Sequence, residues 1–306
     1  MDKLWKQITP SDFAWEREAL EYLKQELPDH EPYRAWANFE FIAQDGSINE
    51  VDLLVVTPKG LFLVEIKSHP GEIDGDAGTW VWSYQGRRKA FDNPRLLADR
   101  KAKKLASLLR SQRAARNKTI PFISALVFLS AENVVNKLMG PARQQVCTRK
   151  NVLDELQRID EHWTHRKIDR PVSTAIARAL EEAGIKESLR ARRVGLYELN
   201  ELLDEADHFQ DWRATHSETG THRRIRIYLT HGKPAEEAEI LRQAARLEFR
   251  LLEGIEHNGI LRAREYQQHD QGPALVFEHD PDAVRLDHFM AVQGQAGRPG
   301  MVDALP

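Results

Sequence analysis

The spacing of apolar and polar residues divides the first 130 residues into short blocks. After Ser11 and Asp12, the run FAWEREALEYLKQEL places Phe13, Leu20, Leu23 and Leu27 at helical intervals and Pro28 closes it, which predicts an amphipathic first helix. Residues 33–43 (YRAWANFEFIA) alternate with period two and lead into the turn QDGS. The apolar runs 51–56 and 61–67 are joined by TPKG, and 79–84 (TWVWSY) and 120–130 read as two further strands. Between those two, Asp92 and Asn93 precede Pro94, the pattern of a capped helix start, and RLLADRKAKKLASLLRSQRA continues the helix. The region from about 143 to 190 reads as helical. A second unit is expected to open near 193 with VGLYELNELLD, followed by strand-like runs and a helix over 234–253. No internal repeat and no low-complexity linker separates the two.

One block breaks its own pattern. EVDLLVVTPKGLFLVEIK (50–67) reads as a buried hairpin, yet it carries Asp52, Glu65 and Lys67. With the bend at Pro58-Lys59, opposed positions have numbers that sum to 117, so Asp52 faces Glu65 and Glu50 faces Lys67. Alternation puts Asp52 on the face of Leu54 and Val56, and Glu65 on the face of Leu63 and Lys67. The two carboxylates then stand with Cβ atoms about 4.5–5.5 Å apart, a pairing that costs stability when both are ionised. A shared proton would offset the cost. So would a divalent cation held by oxygen ligands, at about 2.0–2.1 Å for magnesium. Lys67 beside such an ion could polarise a water or stabilise charge developing on a phosphorus, so the set suits metal-assisted phosphodiester hydrolysis. The plainer alternative pairs Lys67 with Glu50 and leaves Asp52 at a strand edge.

Composition narrows the setting. The chain has 306 residues, 41% hydrophobic and 30% charged, enough for one large or two ordinary domains. A formal net charge of −3 gives no global attraction to nucleic acid or anionic membrane, so such a partner must be met by a local patch. One cysteine, Cys147, excludes an intrachain disulfide, and no Cys/His group has zinc spacing. The start MDKLWKQITPSDF lacks a signal core, and PFISALVFLS is too short to span a bilayer, so a cytoplasmic protein without a membrane partner is expected.

INEVDLLVVTPKGLFLVEIKSHPGEIDGD, the tryptophan after it and DNPRLLADRKAKKLASLL closely resemble the nuclease-related domain (NERD), a branch of the PD-(D/E)xK restriction-endonuclease-like fold, over residues 11–130. The resemblance implies an α/β fold, a mixed sheet flanked by helices. It implies Asp52, Glu65 and Lys67 as the catalytic core, with Glu16 of WEREAL as a supporting acid. Trp15 replaces the family's glycine there, and Glu18 is the fallback. Asp52, Glu65 and Glu16 would be the ligands of Mg2+ or Mn2+. Leu97 stands near the place where many members carry a glutamine. DNA is the implied partner, and restriction-type folds often work as homodimers. A basic run containing Arg87, Arg88, Lys89, Arg95, Arg100, Lys101 and Lys104 fits a phosphate-tracking surface, with Leu97, Leu105, Leu108 and Leu109 as the buried stripe. The bland reading of that run is a solvated basic helix face. Trp80 and Trp82 could stack bases, but alternating tryptophans on a strand more often belong to a core.

RRIRIYL (223–229), the helix containing AARLEFRLLEGIEHNGILRAREY and then GPALVFEHD resemble the third strand, C-helix and fourth and fifth strands of a protein-kinase N-lobe, an α+β unit. Glu248 falls at the C-helix glutamate. Tyr228 stands where the lysine belongs, LLDEADHFQDWRATH replaces the Gly-rich loop, and no H-R-D or D-F-G motif follows. ATP binding is therefore not expected, and 306 residues leave no room for a C-lobe. The domain plan is 11–190, a nuclease-like domain with a helical extension; 193–290, the kinase-N-lobe-like unit; and 291–306, a disordered tail. A NERD domain followed by a kinase-like unit is similar to the large kinases of bacterial phage-defence systems (the phage growth limitation and BREX type 2 group), whose other proteins are then further partners. The expected function is a Mg2+-dependent nuclease in anti-phage defence. The alternatives are a non-catalytic nucleic-acid-binding or docking module, or the N-terminal regulatory part of a Ser/Thr kinase.

Overall fold

The computed structural model describes residues 4–11, 13–116, 118–158, 167–185, 192–257 and 259–296. In chain order the elements are β1 (Trp5–Gln7), α1 (Ala14–Glu26), β2 (Arg34–Ile42), β3 (Ile48–Thr57), β4 (Gly60–Lys67), β5 (Gly71–Gly75), β6 (Thr79–Tyr84), β7 (Arg87–Asp92) and α2 (Pro94–Ser111). There follow β8 (Ile123–Leu129), β9 (Val134–Asn136), β10 (Val146–Thr148), α3 (Val152–Leu156), α4 (Arg170–Ala183), β11 (Arg193–Val194), β12 (Tyr197–Ala206) and β13 (Phe209–His216). The last are β14 (His222–Tyr228), α5 (Ala235–Glu253), β15 (Ala263–His269), β16 (Gly272–Glu278) and α6 (Leu286–Ala296).

Two compact units result. The first comprises residues 1–39, 50–185 and 283 onward, and the second comprises 40–49 and 186–282. The first therefore gains α6, which the sequence reading assigned to the following unit and tail, and the second gains the β2–β3 turn. Of the expected disordered tail, 291–296 lie in α6 and 297–306 fall outside the described residues.

The first unit is built on a mixed six-stranded sheet, ordered β1-β2-β3-β4-β8-β10. Its strands β3 and β4 are antiparallel, whereas β4, β8 and β10 run parallel. Alternation sends Leu53, Val55, Val64 and Ile66 to one face, against Ala19, Leu20 and Leu23 of α1 and Val152 and Leu156 of α3. The other faces of β4 and β8 are covered by α2. Asn93 caps α2 by accepting from the Arg95 N–H, with Pro94 in the first turn, as its sequence implies. On α1 the expected stripe holds for Leu20 and Leu23 but not for Phe13, which is 59% exposed and stacks on Trp15. A second sheet, β7-β6-β5-β9, packs Ile73 and Trp80 against Val127, Leu129, Leu138 and Val146. Trp80 is wholly buried and Trp82 is partly buried in the same cluster, so packing rather than base stacking uses them. Gly71 opens β5 at φ +97, where an added Cβ would lie 2.4 Å from the Ser83 carbonyl oxygen, so only glycine fits. The stretch expected to be helical from 143 to 190 instead holds strand β10 and two separate helices, α3 and α4.

The second unit is an antiparallel sheet ordered β11-β12-β13-β14-β16-β15, with α5 linking β14 to β15. Ala245, Leu241, Phe249 and Leu252 of α5 pack on Tyr228, Leu275 and Phe277. After the two-residue β11, the order strand–strand–strand–helix–strand–strand is the one expected from the sequence. The strands after β11, β12 and β13, meet at Asp207-His208 with no glycine between them.

Candidate active site

The hairpin register matches the expected sum of 117 from Thr57↔Gly60 to Leu53↔Val64. One step further the ladder ends, and the Asp52 side chain substitutes for it. Its Oδ2 accepts the Ile66 N–H at 2.7 Å. A backbone donor that would be orphaned where the strands part is thus satisfied by a carboxylate, which also fixes that carboxylate's direction.

Glu65 is 5% exposed and has both oxygens engaged. Lys67 Nζ lies 2.9 Å from Oε1, and Lys101 Nζ of α2 lies 3.0 Å from Oε2. Lys101 is 6% exposed, because it lies in the core-facing stripe of α2 with Ala98, Ala102, Leu105, Ala106 and Leu109. This corrects the sequence reading, which placed Lys101 on the phosphate-tracking surface. The helical intervals 101, 105 and 109 already pointed inward, but a lysine was read as solvated. Lys67 differs in keeping 30% of its side chain exposed.

Glu16 enters from α1. Its carboxylate accepts the Ser11 hydroxyl, whose oxygen in turn takes the Phe13 N–H at 3.2 Å. Glu16 also feels Glu50, Lys67 and Glu65. Glu18, the fallback, pairs with Arg149 instead.

The electrostatics follow from crowding. Burial and then the adjacent Glu65 raise the Asp52 pKa to about 8, against the pull of Lys101, Lys67 and the Ile66 N–H. Burial alone would raise Glu65 too, but Lys101 and Lys67 hold it well below the usual carboxylate range. Glu16 is raised by burial, with the Ser11 hydrogen bond opposing and Glu50 adding to the rise. Burial would lower both lysines, yet Glu65 and Asp52 push each upward. Three acids, Asp52, Glu65 and Glu16, with the exposed Glu50 beside them, therefore crowd around two ammonium groups. Asp52 and Glu16 are the two acids whose affinity for a proton is raised. A divalent cation would relieve the same crowding in place of those protons, so the carboxylates fit such an ion. Among the described residues, the trio whose ligand atoms lie within 4.8 Å of one another is a different one, Asp92, Asp287 and His288. There Arg285 already bridges Asp92, at 2.7 Å, and Asp287.

The family model described as "Nuclease-related domain" matches residues 11–129. Residues 11–129 are thus similar to nuclease-related domains. Over 296 residues the chain is also 35% identical to "Probable kinase PglW" of Streptomyces coelicolor, a match covering 95% of this chain and 19% of that protein. The chain thus spans about a fifth of that relative's length. Two solved structures are similar over shorter stretches. The crystal structure of Rad53 1-466 in complex with AMP-PNP is 16% identical at a TM-score of 0.26, over 32% of this chain and 24% of that one. The apo form of PpkA-294 is 16% identical at 0.30, over 35% and 43% respectively.

Around the carboxylates of the first unit, the other basic residues divide by exposure. Arg87, Lys89 and Arg100 are exposed, while Arg88, Arg95 and Lys104 are partly buried. Arg88 donates to the Val292 carbonyl at 3.2 Å and Arg95 to Gln145 at 3.0 Å. Leu97 and Leu108 are only partly buried, because the alanines of α2 form most of its contact face. In the kinase-like unit, Tyr228 does meet Glu248, donating its hydroxyl to Oε2. Arg226 reaches Oε1 at 3.4 Å and is itself held by the buried Asp211 at 2.8 Å. No helix among the described residues is long and apolar enough to cross a membrane.

Proposed function

We propose that the first unit hydrolyses phosphodiester bonds in DNA with the help of Mg2+ or Mn2+, as a cytoplasmic component of bacterial anti-phage defence. The observation that carries this reading is the crowding of Asp52, Glu65 and Glu16 around Lys67 and Lys101 at the splayed end of β3 and β4. Asp52 and Glu65, joined by Glu16, would hold the ion. When bound, it neutralises phosphate charge and makes water a better nucleophile near neutral pH. Lys67 is kept protonated by Glu65 and Asp52, so it serves as a hydrogen-bond donor and a positive charge rather than as the base. From its partly exposed position it would orient the attacking water or stabilise charge developing on the phosphate. Lys101 fixes the second oxygen of Glu65, and the Ile66 N–H fixes Asp52.

The defence setting is supported by the order of the two units and by the similarity to the Streptomyces protein. Other defence proteins are proposed as partners on the same grounds, and a homodimer on the resemblance to restriction-type folds, which often work in pairs. Phosphotransfer is not proposed for this chain, since Tyr228 stands at the lysine position. Metal-dependent nicking or linearisation of supercoiled plasmid tests the reading. Cleavage is expected in the parent and absent in Asp52→Ala and Lys67→Ala, and cleavage that survives either substitution refutes it. One observation favours a second reading: both Glu65 oxygens are taken by lysines, and Glu16 is turned to Ser11. A non-catalytic DNA-binding module would show retained binding with no cleavage under any divalent ion.

A further inference from the structure

We propose that a basic cavity at the far end of α2 anchors the backbone of the bound nucleic acid at a distance from the carboxylates, an inference that rests on the DNA-acting reading above. The cavity measures about 430 Å3, and its lining includes Arg113, Lys118, Arg170 and Arg178 around Pro171 and Ala175. All four cations are exposed, and none has a carboxylate partner among the described residues. The nearby acids are otherwise committed: Glu182 accepts the Ala114 N–H at 3.1 Å, and Asp169 caps α4 by accepting the Val172 N–H. Converging positive charges repel one another, and the first turn of α4 adds the positive end of its dipole. A phosphate-bearing polyanion relieves both.

Placement identifies the polyanion. Lys101 and Arg113 are twelve residues apart along α2 and the turn that follows it, about 18 Å of helical rise. Consistent with that distance, the Ile168 N–H donates to the Pro58 carbonyl at 3.0 Å, so α4 begins beside the bend of the hairpin whose other end holds Asp52 and Glu65. Arg100, Lys103 and Arg110 are exposed along one side of α2 between these two points. Together they form a basic track along the solvent side of α2 that leads to the cavity. At about 3.4 Å per phosphate along one strand, the track matches roughly five nucleotides.

The test uses Asp52→Asn chain, in which DNA is bound but not expected to be cut, and a fluorescent duplex of about 20 bp, with anisotropy read between about 50 and 200 mM salt. Adding Arg170→Ala and Arg178→Ala should weaken binding about tenfold and flatten the slope of log K against log salt by about 1.8, two phosphates at about 0.9 each. Arg213→Ala, in the second unit and paired with Glu201, should leave both unchanged. Thermal melting confirms that the surface substitutions fold. An unaltered slope and affinity in the double variant overturn the anchor, as does absence of DNA binding. Plasmid cleavage is scored separately in the Asp52 parent. Cleavage with an unaltered slope removes the anchor alone, and a flattened slope without cleavage removes the nuclease alone.

Discussion

Asp52→Asn should stabilise the first unit, and the gain should grow with pH. In the fold, burial and then Glu65 hold the Asp52 carboxyl at a pKa of about 8; in the unfolded chain it is near 3.9. The folded state therefore keeps a proton that the unfolded chain has lost across the intervening range. That proton's stabilisation is complete below about 3.9 and is lost as pH rises through about 8. Asparagine has no proton to lose, and its oxygen can still accept the Ile66 N–H. The variant should gain on its parent by about 1.4 kcal/mol per pH unit, which from about pH 5.5 to 7.5 is at most about 2.7 kcal/mol. Asp52 is partly exposed, and screening by water reduces this to roughly 1.5–2.5 kcal/mol. For a unit of this size each kcal/mol moves Tm by about 2–4 °C, so the gap in Tm should widen by about 4–8 °C over that range. Circular dichroism melts of both proteins at three pH values, without divalent ions, provide the measurement. A gap that stays constant or narrows refutes the charge-crowding argument.

Lys101→Met leaves Glu65 buried with a single partner and should cost about 3 kcal/mol at neutral pH in urea unfolding. The deficit should shrink on acidification, because the parent's depressed Glu65 contributes stability above its unfolded value and loses it as pH falls; a variant as stable as its parent at neutral pH contradicts this. Binding of Mg2+ at neutral pH should displace about one proton from Asp52, read by calorimetry in buffers of different ionisation heat, and a proton count of zero would remove Asp52 from the ligand set. Tyr228→Phe deletes the hydroxyl that serves Glu248 and should cost the second unit about 1–2 kcal/mol, read by amide exchange, while plasmid cleavage is unaffected.

Much of the site was legible because a hairpin's register is arithmetic. Once the bend at Pro58-Lys59 is placed, the opposition of residues 52 and 65 follows, and the ladder keeps that sum to within one step of the pair. What arithmetic cannot show is that the strands part there and that Asp52 replaces a backbone acceptor. Lys101 was misplaced because charge was allowed to outweigh periodicity, although a lysine four residues before Leu105 and eight before Leu109 shares their face. Phe13 failed in the opposite direction. Its apolar character assigned it to the core, but it precedes the first turn of α1, where stacking on Trp15 keeps it outside. The helical reading of 143–190 missed β10 because three residues, Val146–Thr148, carry too little alternation to register; their pairing with β8 is a tertiary choice.

The kinase-like unit shows how a substitution visible in sequence acquires meaning only from its neighbours. A lysine at 228 would pair with Glu248 and leave ammonium donors for a nucleotide. The tyrosine keeps the contact with Glu248 but brings no charge. The charge comes two residues earlier, from Arg226, on the same face of β14. That guanidinium is not available either: Asp211 is wholly buried and binds it at 2.8 Å, and the Phe209 ring lies 4.3 Å from it. Moving Arg226 toward a phosphate would strand the buried Asp211 carboxylate with Arg224 alone, a cost of about 3–5 kcal/mol if the pair is broken outright. The unit therefore holds its helix through a closed Tyr–Glu–Arg–Asp network that needs no ligand. Restoring lysine at 228 without also releasing Arg226 should fail to create kinase-type ATP binding, whereas measurable ATP binding in a Tyr228→Lys chain would show that the network yields more easily than its burial implies.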